Sequence, residues 1–223
     1  LEHVLPLAIG TAVATITFTS ISSARAHHAR GAVDWSIVRS MAPGLVAGSL
    51  VGPQIASALP ARTMAAVFTL FMWFTAFRMV RNAPPKPSRE LPGAAGLFGV
   101  GAGIGLLSGI VGAGGAFLSV PFMVRCNVRM HAAVATSAAL GLPIALAATV
   151  GFVYAGLRKT GLPPYSVGYV YLPALAAFVA ASMLSAPYGA RVAHSWDVAR
   201  LKRVFAVLMT ALGGYMAWRA ARG

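Results

Sequence analysis

GLFGVGAGIGLLSGIVGAGGAFLSVP, from Gly96 to Pro121, is apolar enough for a membrane interior, yet too long and too rich in glycine for one plain helix. Crossing hydrocarbon takes about 20 mostly apolar residues, and the apolar run containing this stretch extends from 93 to 124. Its glycines let the backbone leave helical geometry, and Pro121 removes a backbone donor near the far end. The segment reads as a broken or re-entrant element.

On either side lie six more apolar segments, near 3–23, 37–58, 63–80, 131–154, 167–190 and 201–219. They predict an all-α, polytopic integral membrane protein of about seven transmembrane helices, one of them broken by glycine. Composition agrees: 58% of the 223 residues are hydrophobic, 10% are charged, and mean hydropathy is +0.75. No water-soluble surface can be built from such a chain, so the lipid bilayer is its solvent and partner.

Eighteen Lys and Arg oppose four acids, for a net charge of +14. These basic residues sit in short clusters between apolar runs, as loops at lipid headgroups do, and no nucleic-acid-binding pattern accompanies them. Cys126 is the single cysteine, which excludes an internal disulfide and a CxxC metal or redox site and leaves a small buried thiol. HExxH and Walker A motifs are absent, and Ser108 in GLLSG lacks the spacing of an intramembrane serine nucleophile. The chain is therefore read as no enzyme, with no cofactor and no metal.

The two sides of the chain are related. RGAVDWS (Arg30 to Ser36) recurs as TGLPPYS (Thr160 to Ser166), pairing Gly31 with Gly161, Trp35 with Tyr165 and Ser36 with Ser166. VGPQIASALPARTMAAVF (Val51 to Phe68) lies without a gap over YGARVAHSWDVARLKRVF (Tyr188 to Phe205), and Thr11-Ala12 faces Thr136-Ser137. The pairs keep their order, which defines a first repeat at 1–82, a Pro-rich linker at 83–92 and a second repeat at 93–223. Only the second contains a glycine-rich opening element, so the repeat predicts a further such element ahead of Leu1 and a parent with eight membrane elements. If the broken element crosses once, the repeats run parallel; if it returns to its own side, they are inverted.

Assuming a single crossing, Arg25, Arg30, Arg39, Arg78, Arg81, Lys86, Arg89, Arg158, Lys159, Arg219 and Arg222 share one side. Seven basic residues share the other: Arg62, Arg125, Arg129, Arg191, Arg200, Lys202 and Arg203. Eleven against seven puts the loop around His27-His28, the linker and the C-terminus in the cytoplasm on that assumption.

A glycine-rich break at membrane depth persists only where it meets protein, water or a ligand. A half-helix restarting near Gly115 would aim free N–H groups and a partial positive charge at an anion, with Gly112 and Gly114 letting it approach. Gly101, Gly105 and Gly109 also fit close helix packing at small-xxx-small spacing. Hydroxyls of Thr11, Thr15, Thr136 and Ser137 could bind anion oxygens, or else bond their own helix carbonyls. All four acids, Glu2, Asp34, Glu90 and Asp197, fall at ends or in loops, so no carboxylate is expected mid-membrane to relay protons. Proton coupling would then need a histidine such as His3 or His131, the element ahead of Leu1, or a proton carried on the substrate.

GIGLLSGIVGAGGAFLSVPFM followed by HAAVATSAAL, together with HVLPLAIGTAVATITFTSISSARAHHARGAVDW, resembles the sulfite exporter TauE/SafE family, also called toluene-sulfonate uptake permeases. The resemblance covers essentially the whole chain. It implies two four-element halves, each opening on a glycine motif, and transport of sulfite, sulfonates or related small sulfur-containing anions. It also implies a multi-pass protein of the cell membrane, the bacterial inner membrane. Gly109, Gly112, Gly114, Gly115 and Pro121 match the motif, and Thr136-Ser137 the small polar pair after it. Thr11 stands in the corresponding place of the first half, with Ala12 where a serine would be. The substrate-binding set expected on these grounds is Gly109, Gly112, Gly114, Gly115, Thr136, Ser137 and Thr11. An anion channel or a lipid-handling protein is the alternative.

Overall fold

The computed structural model describes residues 3–81, 88–157, 159–195 and 198–222. Eight helices are found among them: α1 (Val4–Ala29), α2 (Trp35–Ala58), α3 (Ala61–Arg81), α4 (Ala94–Val111), α5 (Ala116–Arg125), α6 (Met130–Gly156), α7 (Leu172–Ser195) and α8 (Val198–Arg222). A short antiparallel hairpin, β1 (Ser166–Val167) with β2 (Val170–Tyr171), precedes α7. The seven apolar segments are all helical, and the fourth supplies two helices, α4 and α5, separated at Gly112–Gly115. Helices α1, α3, α4 and α6 are each long and apolar enough to cross a membrane. Large apolar side chains such as Phe98, Leu107, Val150 and Leu70 remain exposed on their outer faces, where lipid replaces water. This is an all-α polytopic membrane protein.

Two details depart from the sequence reading. His27 and His28, expected in a loop, occupy the last turn of α1, which ends at Ala29, two residues before the left-handed Gly31. Trp35 Nε1 donates to His28 Nδ1 at 3.3 Å with the rings edge to face, and this contact supports a turn that bilayer thickness alone does not require. The helix expected from 167 begins instead at Leu172, because left-handed backbone at Tyr165 and Gly168 makes a turn. The hairpin also explains an offset in the repeat: the shift between halves is 130 at Gly31 and Gly161 but 137 at Gly52 and Gly189. Residues 82–87, most of the linker, lie outside the described residues.

The chain packs as two compact units that cut across the sequence halves. One comprises His3–Ala58 and Pro85–Ala176, the other Leu59–Pro84 and Ala177–Gly223. In the second unit α3 packs on α8, its repeat counterpart, with Gly213 set against Trp73 and its carbonyl accepting from Thr69 Oγ1.

In the first unit the core is formed by Ile37, Met41 and Leu45 of α2, Leu97 and Ile104 of α4, Met123 of α5, and Leu140 and Ile144 of α6. Helices α2 and α4 run in the same direction, since Gly101 faces Met41, Gly105 faces Leu45 and Gly109 faces Gly52. Helix α5 turns back: Gly115 lies by Ile144 and Ser119 by Ser137, so it runs against α6. Its last carbonyl, Arg125 O, accepts from Ser88 and Arg89 N–H at 3.0 and 3.2 Å, just ahead of α4. The broken element therefore enters and leaves at one end of the unit. Helix α1 is antiparallel to its counterpart α6, with Gly10 by Phe152, Thr17 by Thr149 and Ser20 by Gly141. Of the two arrangements that the sequence allows, this geometry is the inverted one.

The return of α5 removes the assumption behind the eleven-to-seven charge division. Arg125 and Arg129 join Arg25, Arg30, Arg39 and Arg89 at one end of the unit, whereas Lys159 is its described basic residue at the other. The positive-inside rule associates an end of this charge with the cytoplasmic side.

Candidate functional site

Helix α4 closes on Gly112, whose φ of 75° is the left-handed C-terminal cap that glycine supplies at least cost, and Gly112 N–H returns to Ser108 O at 2.8 Å. Gly115, φ 70°, is the N-cap of α5 and accepts from Leu118 and Ser119 N–H. Within the break Gly115 N–H bonds Ala113 O and Ala116 N–H bonds Gly114 O, both tight local contacts. The N–H groups of Ala113, Gly114 and Phe117 find no backbone acceptor among the described residues.

At about 1.5 Å per residue, the ten residues of α5 place this break about 15 Å along that helix from Arg125 and the eighteen of α4 about 27 Å along it from Ala94, and Gly115 lies beside Ile144, midway along the membrane-length helix α6. The positive end of a helix dipole, equivalent to about half a charge, is thus held at mid-depth.

Three hydroxyls accompany it. Ser108 Oγ is 3.4 Å from the place a Cβ on Gly115 would occupy; the residue is 3% exposed, and the oxygen has no hydrogen-bond partner among the described residues. Ser119, one turn into α5, shares a 2.7 Å hydrogen bond with Ser137 of α6, and both are buried. A Cβ on Gly114 would meet no atom within 4 Å, so the break borders open space at that residue. An unpaired buried hydroxyl costs about 1–3 kcal/mol unless a ligand or water completes it.

The expected site residues separate into three groups. Gly112, Gly114, Gly115 and Ser137 gather at the break. Gly109 sits below it in the α2–α4 seam, where a Cβ would lie 3.0 Å from Pro53 Cδ and 3.1 Å from Gly52 Cα. Thr11 and Thr136 are engaged elsewhere: Thr136 Oγ1 accepts the Asp34 N–H at 2.9 Å, and Thr11 Oγ1 accepts the Tyr171 N–H at 3.0 Å while donating to Leu7 O. Asp34 immediately precedes α2 and Tyr171 immediately precedes α7, and they differ by 137, the shift of the later pairs such as Gly52 and Gly189 and not the 130 of Gly31 and Gly161. Each threonine thus anchors the helix entry of the opposite half, a reciprocal clasp that an inverted pair generates. Thr15 bonds its own helix at Thr11 O.

Sequence reasoning missed Ser119 and considered Ser108 only as a nucleophile. Their signal was spacing: Ser119 is four residues after Gly115 and Ser108 four before Gly112, so each returns to the break after one helical turn. Outside the helices, burial pushes the Cys126 thiol up although Arg89 opposes the shift, as suits an inert packed cysteine.

A family model described as sulfite exporter TauE/SafE matches residues 4–216. A Haemophilus influenzae protein named "Probable membrane transporter protein" is 29% identical over 204 residues, covering 91% of this chain and 77% of that one. "Probable membrane transporter protein YdhB" of Bacillus subtilis is 25% identical over 158 residues, covering 67% and 64%. No solved structure matches the chain significantly.

Proposed function

The chain belongs to the sulfite exporter TauE/SafE family, and on that premise we propose that it is a secondary transporter carrying a small sulfur-containing anion, such as sulfite or an organosulfonate, across the cell membrane. That it is a membrane transporter follows from the family and agrees with the names of both relatives. The anion reading is supported chiefly by one observation: a helix N-terminus at mid-depth, opened by Gly112–Gly115, beside a buried Ser108 hydroxyl without a partner. Half-helix ends are how transporters offer positive potential to an anion without burying a cation.

The substrate's oxygens would meet the N–H groups of the break and Ser108 Oγ, with the Ser119–Ser137 pair one turn away. Gly114 is the residue to test, because its neighbouring space is open and its φ is ordinary. Gly114→Leu should fold normally and abolish counterflow of labelled sulfite in proteoliposomes. Unchanged counterflow at normal expression rejects this site.

A further inference from the structure

We propose that residues 31–34 form a gate on the arginine side of the break, latched shut by Thr136, and that the hairpin of β1 and β2 is the opposing gate, latched by Thr11. That substrate pauses between the two latches rests on the reading of the break as the anion site; the gating concerns how the break is reached.

Both gates dip below the helix ends. Thr136 is six residues into α6 and Thr11 seven into α1, about 9 and 10 Å along them at 1.5 Å per residue. Each threonine hydroxyl therefore pins non-helical backbone, Asp34 N–H or Tyr171 N–H, well inside its end of the unit. Backbone of this kind persists at depth where protein covers it or water reaches it. On the arginine side, Thr136 adjoins Ser137, whose hydroxyl meets Ser119 one turn from the break. On the other side, Thr11 stands between Ile9 and Val13, whose methyl groups are what a Cβ on Gly112 would meet. The break thus lies between the latches, and an inverted pair that opens at one latch and then the other would expose it to each side in turn.

The two gates are fastened unequally. Tyr169 of the hairpin is fully buried; its N–H donates to Phe152 O at 3.2 Å, its hydroxyl meets His3 Nδ1 at 3.3 Å, and its carbonyl lies against Gly10. Gly168 beside it sits on the backbone of Val153. On the arginine side, Asp34 N–H to Thr136 Oγ1, at 2.9 Å, is the hydrogen bond that ties residues 31–34 to α6 among the described residues, and Val33 adds an apolar contact with the core. Gly31 and Ala32 N–H bond His28 and His27 carbonyls, and Trp35 bonds His28, so these contacts shape the segment against α1 without fastening it to α6. Gly31 is left-handed, and a Cβ there would meet nothing within 4 Å, which leaves room for the segment to swing. Asp34 also caps α2, its Oδ1 accepting from Ser36 and Ile37 N–H, so releasing Asp34 releases the head of that helix. The arginine-side gate is the one that a single hydroxyl controls.

A thiol in the break reads both gates. Gly114→Cys in a Cys126→Ala background places one where the neighbouring space is open. Its labelling by a membrane-impermeant maleimide is timed in vesicles of each orientation. His131→Cys, exposed at the head of α6, identifies in a parallel preparation which vesicles present the arginine side. Thr136→Val should speed labelling from the arginine side about fivefold or more and leave the other side unchanged, since the Asp34 N–H unpaired in the closed state finds water in the open one. Thr136→Ser, which keeps the hydroxyl, should restore the original rate. Thr15→Val, removing a hydroxyl that bonds its own helix, should alter neither side. Thr11→Val should speed labelling from the opposite side alone, and by less than about twofold, because Tyr169 stays in place.

Unchanged labelling in Thr136→Val, an equal rise from both sides, or a rise that Thr136→Ser does not reverse overturns the gate. Labelling that follows the latches but is not slowed by methanesulfonate leaves the gates standing and removes the anion site. No labelling of Gly114→Cys from either side in any variant, while His131→Cys reacts, overturns both.

Discussion

A Cβ added to Gly105 would lie 2.2 Å from the Leu45 carbonyl oxygen, whereas one added to Gly114, nine residues on, would meet nothing within 4 Å. Both glycines belong to one apolar run, and composition alone treats them alike. In the seam between α2 and α4, glycines recur every fourth residue on both partners: Gly44, Gly48 and Gly52 against Gly101, Gly105 and Gly109. That spacing draws one helix face into backbone contact, which supplies the van der Waals packing that holds helices together where water does not drive them. In the break, glycines fall at 112, 114 and 115, and two of the three have left-handed φ. Glycine serves there to turn the chain and leave room beside it. Four-residue spacing signals packing; crowding within one turn signals an opening.

The seam should be the more sensitive region. Gly105→Ala places a methyl against a backbone that cannot swing aside, so α2 and α4 must separate. Destabilisation of about 3 kcal/mol is expected, or a melting temperature lower by about 6–12 °C for a chain of this size. Thermal unfolding followed in detergent measures it, and a shift within error would mean that the helices are not in the contact described.

At the break the cost should be smaller and of another kind. Gly115→Ala forces a left-handed alanine, worth about 1–2 kcal/mol, and presses on Ile144 Cδ1, the mobile tip of a side chain 2.6 Å from the new Cβ. Combining it with Ile144→Val removes the contact and retains the backbone strain. The double variant should recover only part of the lost melting temperature, and full recovery would show that φ at Gly115 is not the constraint.

Much of this contrast was legible in the sequence because it is local. Gly96–Pro121 announced a break, and the restart near Gly115 needed only the glycine density and the length of the segment. Direction was not legible: whether α5 goes on or turns back is decided by Arg125 O accepting from Ser88 and Arg89, across more than thirty residues of chain. The roles of Thr11 and Thr136 were hidden for the same reason, as their partners Tyr171 and Asp34 lie in the opposite half. Two-residue strands at Ser166–Val167 and Val170–Tyr171 are too short to show an alternating pattern. Ser119 escaped because attention stopped at the glycines, although a helix restarting at Ala116 brings its fourth residue back over its own N-terminus.

Gly103 tests the comparison where the expected change is least. It stands between Gly101 and Gly105 in the same helix, but its Cβ would meet no atom within 4 Å, and nothing in the structure turns the chain there. If glycine in α4 is required only where another backbone presses on it, Gly103→Ala should be tolerated. It should stabilise the helix by about 0.5–1 kcal/mol, the difference in backbone freedom between the two residues. A rise of one to a few degrees in melting temperature, with sulfite counterflow unchanged, is the expected result. A fall comparable to that of Gly105→Ala would make the whole glycine run, rather than its four-residue register, the structural requirement, and the division between seam and break would lose its basis.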